Sequence, residues 1–183
     1  MRTLLLMASF LSVITRLFGN GEPGSRYKTV EIYDRLRSRA LTVRAEQVGA
    51  KKEDQVLAIL MEMGTPEAVA TLVAVVDGAA SLYLSSGGGI IGAGEDKRPN
   101  AASRKLIRMA ASFLKYMTKA EKTPLPREGF ARFYVVTPSG LLTTEVKEED
   151  LGGGRHALSP LFQTAHELIT EIRLIDEQRG KKG

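Results

Sequence analysis

The chain has 183 residues, a formal net charge of +5, two histidines and no cysteine. This length is that of one domain, with or without an appendage, and it allows a core of ordinary size. The composition excludes disulfides, thiolate metal sites and cysteine nucleophiles, and it argues against a multi-histidine metal centre and against an aromatic-rich surface for single-stranded nucleic acid.

Residues 1–20 are predicted to form an amphipathic helix. Apolar side chains recur there at helical spacing before Gly19 and Asn20 interrupt the pattern. The run is too short to span a bilayer, and no convincing signal-peptide cleavage site ends it. Its apolar face is expected either to pack on the domain or a partner chain, or to bind a membrane surface through residues 7–18; Met7 is as good a start as Met1. The residues on this face are Phe10, Leu11, Ile14, Leu17 and Phe18.

Residues 21–50 are interpreted as a linker followed by a basic helix. The linker is the Gly- and Pro-containing stretch 21–25, and helical periodicity then extends over 29–48. Arg35 and Arg39 lie four residues apart and share a side of this helix, which is expected to be a solvated basic face. Because most of the net positive charge lies in residues 1–50, an acidic partner or a membrane surface is favoured over a nucleic acid.

The main domain is predicted over residues 51–176 and begins with a helix at 53–63. Val56, Leu57 and Leu60 form its apolar stripe, and Gly, Thr and Pro follow at 64–66. A hairpin is predicted next, over 68–85, because two β-branched apolar runs are joined by Asp77 and Gly78. Asp-Gly in this setting is typical of a type I′ turn.

A long helix is predicted over 101–120, with Asn100 as its N-cap. Its basic side chains have no acidic neighbours in the sequence. This pattern is typical of a solvated face, and the alternative is a docking site for an acidic or phosphorylated partner. The basic residues proposed for docking are Arg104, Arg108 and Lys115.

A second hairpin is predicted over 130–146, with its turn at residues 137–140. An acidic and then glycine-rich loop follows at 147–156, and a last helix spans 159–175 with Ser159 as its cap. Residues 177–183 are expected to be a disordered tail. The fold class is therefore α+β, with an antiparallel sheet built from two hairpins, helices packed against it and an N-terminal helical appendage.

The glycine-rich stretch 87–94 matches the G-x-G-x-x-G spacing of dinucleotide-binding loops. That motif needs a strand leading directly into a helix and then a parallel strand, and the sequence predicts no parallel partner. A structural role, such as a bulge or a close approach between strands, is therefore favoured. The alternative is an anion site formed by Gly87, Gly88, Gly89, Gly92, Asn100 and Arg104.

No catalytic constellation is found in the sequence. His166 is followed by Glu167, but the second histidine of a zinc-protease helix is missing, and His156 lies ten residues away. The adjacent acids at 148–150 do not have the spacing of a cation-binding loop. No metal site and no cofactor are predicted.

The order of elements from residue 53 to 175 resembles that of the roadblock family, the small α/β proteins of the dynein light-chain type. The parts that carry the resemblance are the hairpin with its Asp77-Gly78 turn, helix 101–120, the second hairpin and the closing helix. The sequence departs from the family in having two predicted strands rather than three after the middle helix. A profilin-like sheet fits the same pattern. The resemblance implies a non-catalytic module that dimerises by joining sheets and middle helices and that regulates or scaffolds a partner, often a small GTPase.

These observations predict a cytoplasmic, non-catalytic interaction or regulatory module that dimerises through helix 101–120 and an edge strand. A protein partner is expected, including a second copy of the chain, whereas nucleic acid is not. The alternative function is a small-ligand sensor or an enzyme that binds an anionic ligand at loop 87–94. Peripheral membrane attachment through residues 7–18 is a third possibility.

Overall fold

The computed structural model of the protein describes residues 26–180, so the predicted helix at 1–20 lies outside the described residues. Four α-helices and a seven-stranded antiparallel sheet form an α+β fold, which confirms the predicted class. The elements in chain order are α1 (Glu31–Leu41), β1 (Ala58–Gly64), β2 (Val69–Val75), β3 (Ala80–Leu84), β4 (Gly89–Ile90), α2 (Lys97–Ala111), β5 (Thr118–Lys119), β6 (Phe130–Thr137), β7 (Gly140–Lys147), α3 (Glu148–Gly152) and α4 (Ser159–Gly180).

The two predicted hairpins are confirmed as β2–β3 and β6–β7. They are joined through β1, which pairs with β2 on one side and β6 on the other, so that Leu60 lies opposite both Val73 and Tyr134. The strand order is β4-β3-β2-β1-β6-β7-β5. The two edge strands have only two residues each, a length that gives other chains little to pair with.

The helix predicted at 53–63 is wrong, because residues 58–64 form the central strand β1. A short continuous apolar run fits a buried helix and a strand covered on both faces equally well, and periodicity cannot separate the two. Ala58, Leu60 and Glu62 face one side of the sheet, while Ile59 and Met61 face the other. All five are buried, so the alternation that would have identified a strand is missing.

The middle helix α2 begins and ends earlier than the predicted range 101–120. Asp96 occupies the N-cap position in place of Asn100, which lies inside the helix. After Ala111 the chain makes a short 3-10 turn and enters β5, where Thr118 pairs with Thr143 of β7. Strand pairing therefore overrides helical propensity over the last residues of the predicted helix, and Lys115 lies outside it.

The Asp77-Gly78 turn connects its hairpin as predicted but is not of type I′. Only Gly78 has a positive φ, at 94°, since no residue other than glycine has one among the described residues. The Gly78 N–H donates to the Val75 carbonyl at 2.9 Å, and the Val75 N–H donates to the Ala79 carbonyl at 3.0 Å. This is the three-residue hairpin loop that ends in a left-handed glycine.

The remaining helices also differ from the predicted boundaries. The basic helix expected over 29–48 is α1 followed by a separate 3-10 turn, and the loop expected at 147–156 contains α3. Helix α4 starts at Ser159 and continues to Gly180, so residues 177–180 are helical and not a disordered tail. Ser159 is the first helical residue and not a cap: its hydroxyl accepts from the His156 N–H and donates to the Asp150 carbonyl.

The two faces of the sheet are covered unequally. Helices α2 and α4 pack together on one face over a large apolar core that includes Met61, Leu72 and Phe133. The other face is covered by α1, whose Tyr33 and Ala40 are buried against Leu60 and Val73. Among the described helices only the short α1 covers this second face, and two hollows lie beside it.

Candidate interaction surface

A row of polar side chains crosses the sheet beneath α1. Tyr83, Thr71, Glu62 and Arg132 lie on neighbouring strands in successive register pairs. Glu62 is fully buried in β1, the central strand. The partner of Glu62 comes from α1, which is distant in sequence, so no pattern within residues 53–63 could have identified it.

Arg37 of α1 neutralises the buried Glu62. Its guanidinium donates from Nε to Oε1 at 2.5 Å and from Nη2 to Oε2 at 2.9 Å, and it also donates to the Thr123 carbonyl at 2.9 Å. Burial raises the pKa of Glu62 and the two hydrogen bonds from Arg37 oppose that shift. The predicted basic face of this helix is thus partly internal, since Arg37 fixes α1 to the sheet rather than facing solvent.

Two tyrosines lie between this ion pair and the outer edge of the sheet. The Tyr33 hydroxyl is 2.9 Å from the Thr71 hydroxyl, and its ring meets the Tyr83 ring edge-on at 5.6 Å between centroids. Tyr83 is 4% exposed, and its hydroxyl has no hydrogen-bond partner among residues 26–180. Burial raises the pKa of both phenols, so both stay protonated at neutral pH.

Apolar side chains gather where α1 meets the β3–β4 hairpin. We call this surface the apolar patch: Val30 (36% exposed), Ile32 (47%) and Ile91 (57%). The Val30 N–H donates to the Ser85 carbonyl at 3.0 Å, which fixes the start of α1 beside the hairpin. The described residues contain two other large hydrophobic residues of comparable exposure. Leu84 (41%) faces the α2–α4 side of the sheet, because it follows Tyr83, which faces α1, and Tyr116 precedes β5 at the opposite edge.

Two hollows adjoin the apolar patch. One, of about 220 Å³, lies under Ile32, Leu84 and Ile91 beside the glycine turn. The other, of about 390 Å³, runs along α1 over the outer part of the sheet. Leu36, Tyr83 and Ile91 line both, and the smaller hollow has no charged side chain in its wall. The surface is therefore suited to apolar groups.

The glycine-rich stretch builds the hairpin that carries this patch. The Gly87 N–H donates to the Leu84 carbonyl and the Leu84 N–H donates to the Gly88 carbonyl, both at 3.0 Å, which makes a tight turn from β3 into β4. A Cβ at Gly89 would lie 2.5 Å from the Leu82 carbonyl oxygen, and one at Gly94 would lie 2.3 Å from the Gly78 carbonyl oxygen. Gly89 thus allows a close backbone approach within the β3–β4 hairpin, and Gly94, in the 3-10 turn Ala93–Glu95, allows one against the β2–β3 turn, in line with the favoured structural role.

Asn100 and Arg104 of the candidate anion site lie beside the β2–β3 turn and not beside Gly87. The Asn100 side chain donates to the Gly94 carbonyl at 2.9 Å and accepts from Arg104 Nε at 3.0 Å. Arg104 also donates to the carbonyls of Val76 and Asp77. Both side chains are therefore occupied in holding two loops together.

Two of the five cations of α2 are paired with acids of α4. Arg98 forms an ion pair with Glu171 at 2.7 Å, and Lys105 pairs with Glu167. The sequence could not show this, because the acids come from a different helix. Of the residues predicted for docking, Arg104 holds the turn, Lys115 lies over the Tyr116 ring outside the helix, and Arg108 alone is exposed on α2 without a hydrogen bond or ion pair to another described residue.

Among residues 26–180, no group of three or more His, Asp or Glu side chains is arranged to hold a metal ion. His156 Nδ1 accepts from the Leu158 N–H, and His166 packs edge-on against Phe162. No helix in this part of the chain is both long and apolar enough to cross a membrane.

Comparison of the chain with protein-family models, with curated proteins and with solved structures finds no match.

Proposed function

We propose that this protein is a non-catalytic protein-interaction module that self-associates through the apolar patch. One observation carries the proposal: among the described residues, three of the five exposed large hydrophobic side chains lie on this patch, Ile32 and Ile91 around one hollow and Val30 beside Gly87 in its wall. Soluble proteins seldom expose contiguous apolar surface unless it binds something, because water exposure of that surface is unfavourable.

A second copy is the partner that this surface fits best. A two-fold interface brings the same patch from two chains together, so an apolar patch is complementary to itself. Glu31 and Arg35 lie one turn apart on α1 beside Ile32 and form an ion pair of 3.9 Å with each other, and their side chains, 86% and 68% exposed, are free to exchange partners. A two-fold arrangement of α1 against its copy can pair each acid with the partner's base, which favours association of like chains.

The resemblance to the roadblock family also supports a dimeric, regulatory role, but another surface fits the geometry better than the predicted one. A second sheet could pair with only two residues of β4 at that edge, and three of the five cations of α2 are engaged, two by α4 and one by the adjacent turn. We therefore place the dimer contact at the apolar patch instead of at helix 101–120. We place the module in the cytoplasm, since a cysteine-free chain suits a reducing compartment.

Light scattering of the full chain over a range of concentrations tests this proposal. We expect the mass to rise toward twice the monomer as concentration increases, and Ile91→Glu to abolish the rise because it places a charge in the apolar contact. Tyr116→Glu is the matched control, since it removes a similarly exposed hydrophobic side chain at the other sheet edge. A dimer that persists in Ile91→Glu, or is lost equally in Tyr116→Glu, would refute the assignment.

A second candidate function is the binding of a small, mainly apolar ligand in the hollows beside α1. It is favoured by the buried Tyr83 hydroxyl, which lacks a partner among the described residues and belongs to a side chain that lines both hollows. Buried polar groups usually have a hydrogen-bond partner, so a ligand acceptor would satisfy this one.

Amide chemical shifts of the full chain titrated with indole and with inorganic phosphate test the second candidate. We expect indole, but not phosphate, to move the amides of Leu36, Tyr83 and Ile91, and Tyr83→Phe to weaken binding of ligands that accept a hydrogen bond. Phosphate-induced shifts at residues 87–94 would instead support the anion site predicted from the sequence.

A further inference from the structure

The larger of the two hollows, of about 390 Å³, lies beside α1 over the outer part of the sheet. Leu36 and Ala40 of α1 line it, and so does Ile91, which follows β4. Small-molecule sites are hollows of this size, mainly apolar and with a few polar groups that fix the ligand's orientation. The floor consists of side chains of β2 and β3 on the sheet face toward α1, namely Val73, Val75, Ser81 and Tyr83.

The acceptor groups in the wall of this hollow are engaged within the chain. Asp77, the one acid among the described residues that line it, accepts at Oδ1 from the Ala79 N–H at 2.9 Å. Gln47 Oε1 accepts from the Arg44 N–H at 2.9 Å. These contacts hold both acceptors to their own turns, so the wall is poorly suited to a ligand that offers hydrogen-bond donors.

Two donors in the wall have no partner among residues 26–180. Arg39 is exposed, and its guanidinium forms no ion pair or hydrogen bond with another described residue. The other two arginines of α1 are engaged, Arg35 by Glu31 and Arg37 by Glu62. The buried Tyr83 hydroxyl is the second donor without a partner. The hollow therefore offers two donors, one of them cationic, to an acceptor on a ligand.

We infer that the larger hollow binds a carboxylate with an apolar tail, of the medium-chain fatty acid type, with the carboxylate on Arg39 and the tail over Val73 and Val75. This inference rests on the second candidate function, because it names the class of ligand for the hollows beside α1. A guanidinium presents parallel N–H donors that match the two oxygens of a carboxylate. Contact of the tail with the floor removes its apolar surface from water.

Titration of the full chain with octanoate, followed by amide chemical shifts, tests the inference. Octan-1-ol and octylammonium carry the same tail with a neutral and a cationic head. We expect octanoate to move the amides of Leu36, Val73 and Ser81 and to bind at least about tenfold more tightly than the other two, because only its head forms a charge-assisted hydrogen bond with Arg39. Acetate, which lacks the tail, should leave these amides unmoved at the same concentration.

Substitutions on α1 locate the carboxylate. Arg39→Gln should weaken octanoate binding at least about tenfold, to the level of octan-1-ol, and leave octan-1-ol binding unchanged. Arg35→Gln is the matched control, because Arg35 lies one turn earlier on the same helix and does not line this hollow. Ser81→Phe should abolish binding of both probes, since the added ring fills the hollow from its floor.

The outcomes separate this inference from the candidate function beneath it. Octan-1-ol or octylammonium binding as tightly as octanoate, unchanged octanoate binding in Arg39→Gln, or an equal loss in Arg35→Gln would overturn the carboxylate and leave a small-ligand site standing. The same holds if indole moves the amides of the hollow and octanoate does not. If none of the probes moves them, both the inference and the second candidate function are refuted. The light-scattering test of self-association is independent of all these results.

Discussion

Arg37 reaches from α1 into the centre of the sheet and donates two hydrogen bonds to Glu62, a carboxylate with no exposure to solvent. The contact joins two elements that are 25 residues apart in the chain. It also lies on the same face as Tyr33 and Thr71, so the position of α1, and with it the apolar patch, depends on this pair. Energetically, a buried charge that loses its partner is far more costly than the pair is favourable.

We predict that Arg37→Met destabilises the fold by about 3–5 kcal/mol, because it leaves the Glu62 carboxylate buried without a counter-charge. Urea unfolding measures the change. The double variant Arg37→Met, Glu62→Met should recover most of the loss, since it removes both charges together. A loss below about 1 kcal/mol in the single variant would contradict the role given to this pair.

Gly94 is predicted to be required for close packing and not for ligand binding. Gly94→Ala should cost about 1–3 kcal/mol, because its Cβ would lie 2.3 Å from the Gly78 carbonyl oxygen and 2.7 Å from Ala79 Cα. Gly152→Ala in α3 is the control, since its Cβ meets nothing within 4 Å and alanine favours helix. Chemical denaturation of both variants checks this, and equal stabilities would contradict it.

His166 should make the protein less stable as the pH falls below neutrality. Burial lowers its pKa from the ordinary 6.5, so just below that pH the unfolded chain binds more protons than the folded one. The free energy of unfolding should therefore decrease as the pH drops through 6.5 and level off below the lowered pKa. His166→Gln should remove this part of the pH dependence, whereas the exposed Gln163→Ala on the same helix should leave it intact. Urea unfolding at a series of pH values measures both.

Substitution of Arg104 and of Arg108 shows whether the cations of α2 anchor the β2–β3 turn or dock a partner. Arg104→Ala should lower stability by about 0.5–1 kcal/mol, because an exposed side chain that donates to the carbonyls of Val76 and Asp77 is lost. Arg108→Ala should change stability by less than that. Neither should alter the mass measured by light scattering, and loss of the dimer in either variant would return the contact to the helix 101–120 surface predicted from the sequence.

Local sequence chemistry was sufficient for the elements that alternate or carry turn residues. The β2–β3 hairpin followed from Asp77 and Gly78, and α4 from its apolar stripe. Residues 58–64 could not be assigned in this way, because a central strand buried on both faces has the same continuous apolar composition as a buried helix. The end of α2 was missed for a related reason, since β5 is specified by its partner strand and not by its own two residues.

The candidate surface depended still more on contacts that are distant in sequence. The sequence by itself determined the antiparallel α+β class, the two hairpins and the lack of cysteine chemistry, because these follow from composition and from neighbours a few residues away. Only the tertiary structure decided that Arg37 is paired with Glu62, that α4 pairs with two cations of α2, and that Val30, Ile32 and Ile91 form one patch. Burial and pairing are properties of the packed chain, and a side chain's exposure is fixed by elements that lie far from it in the sequence.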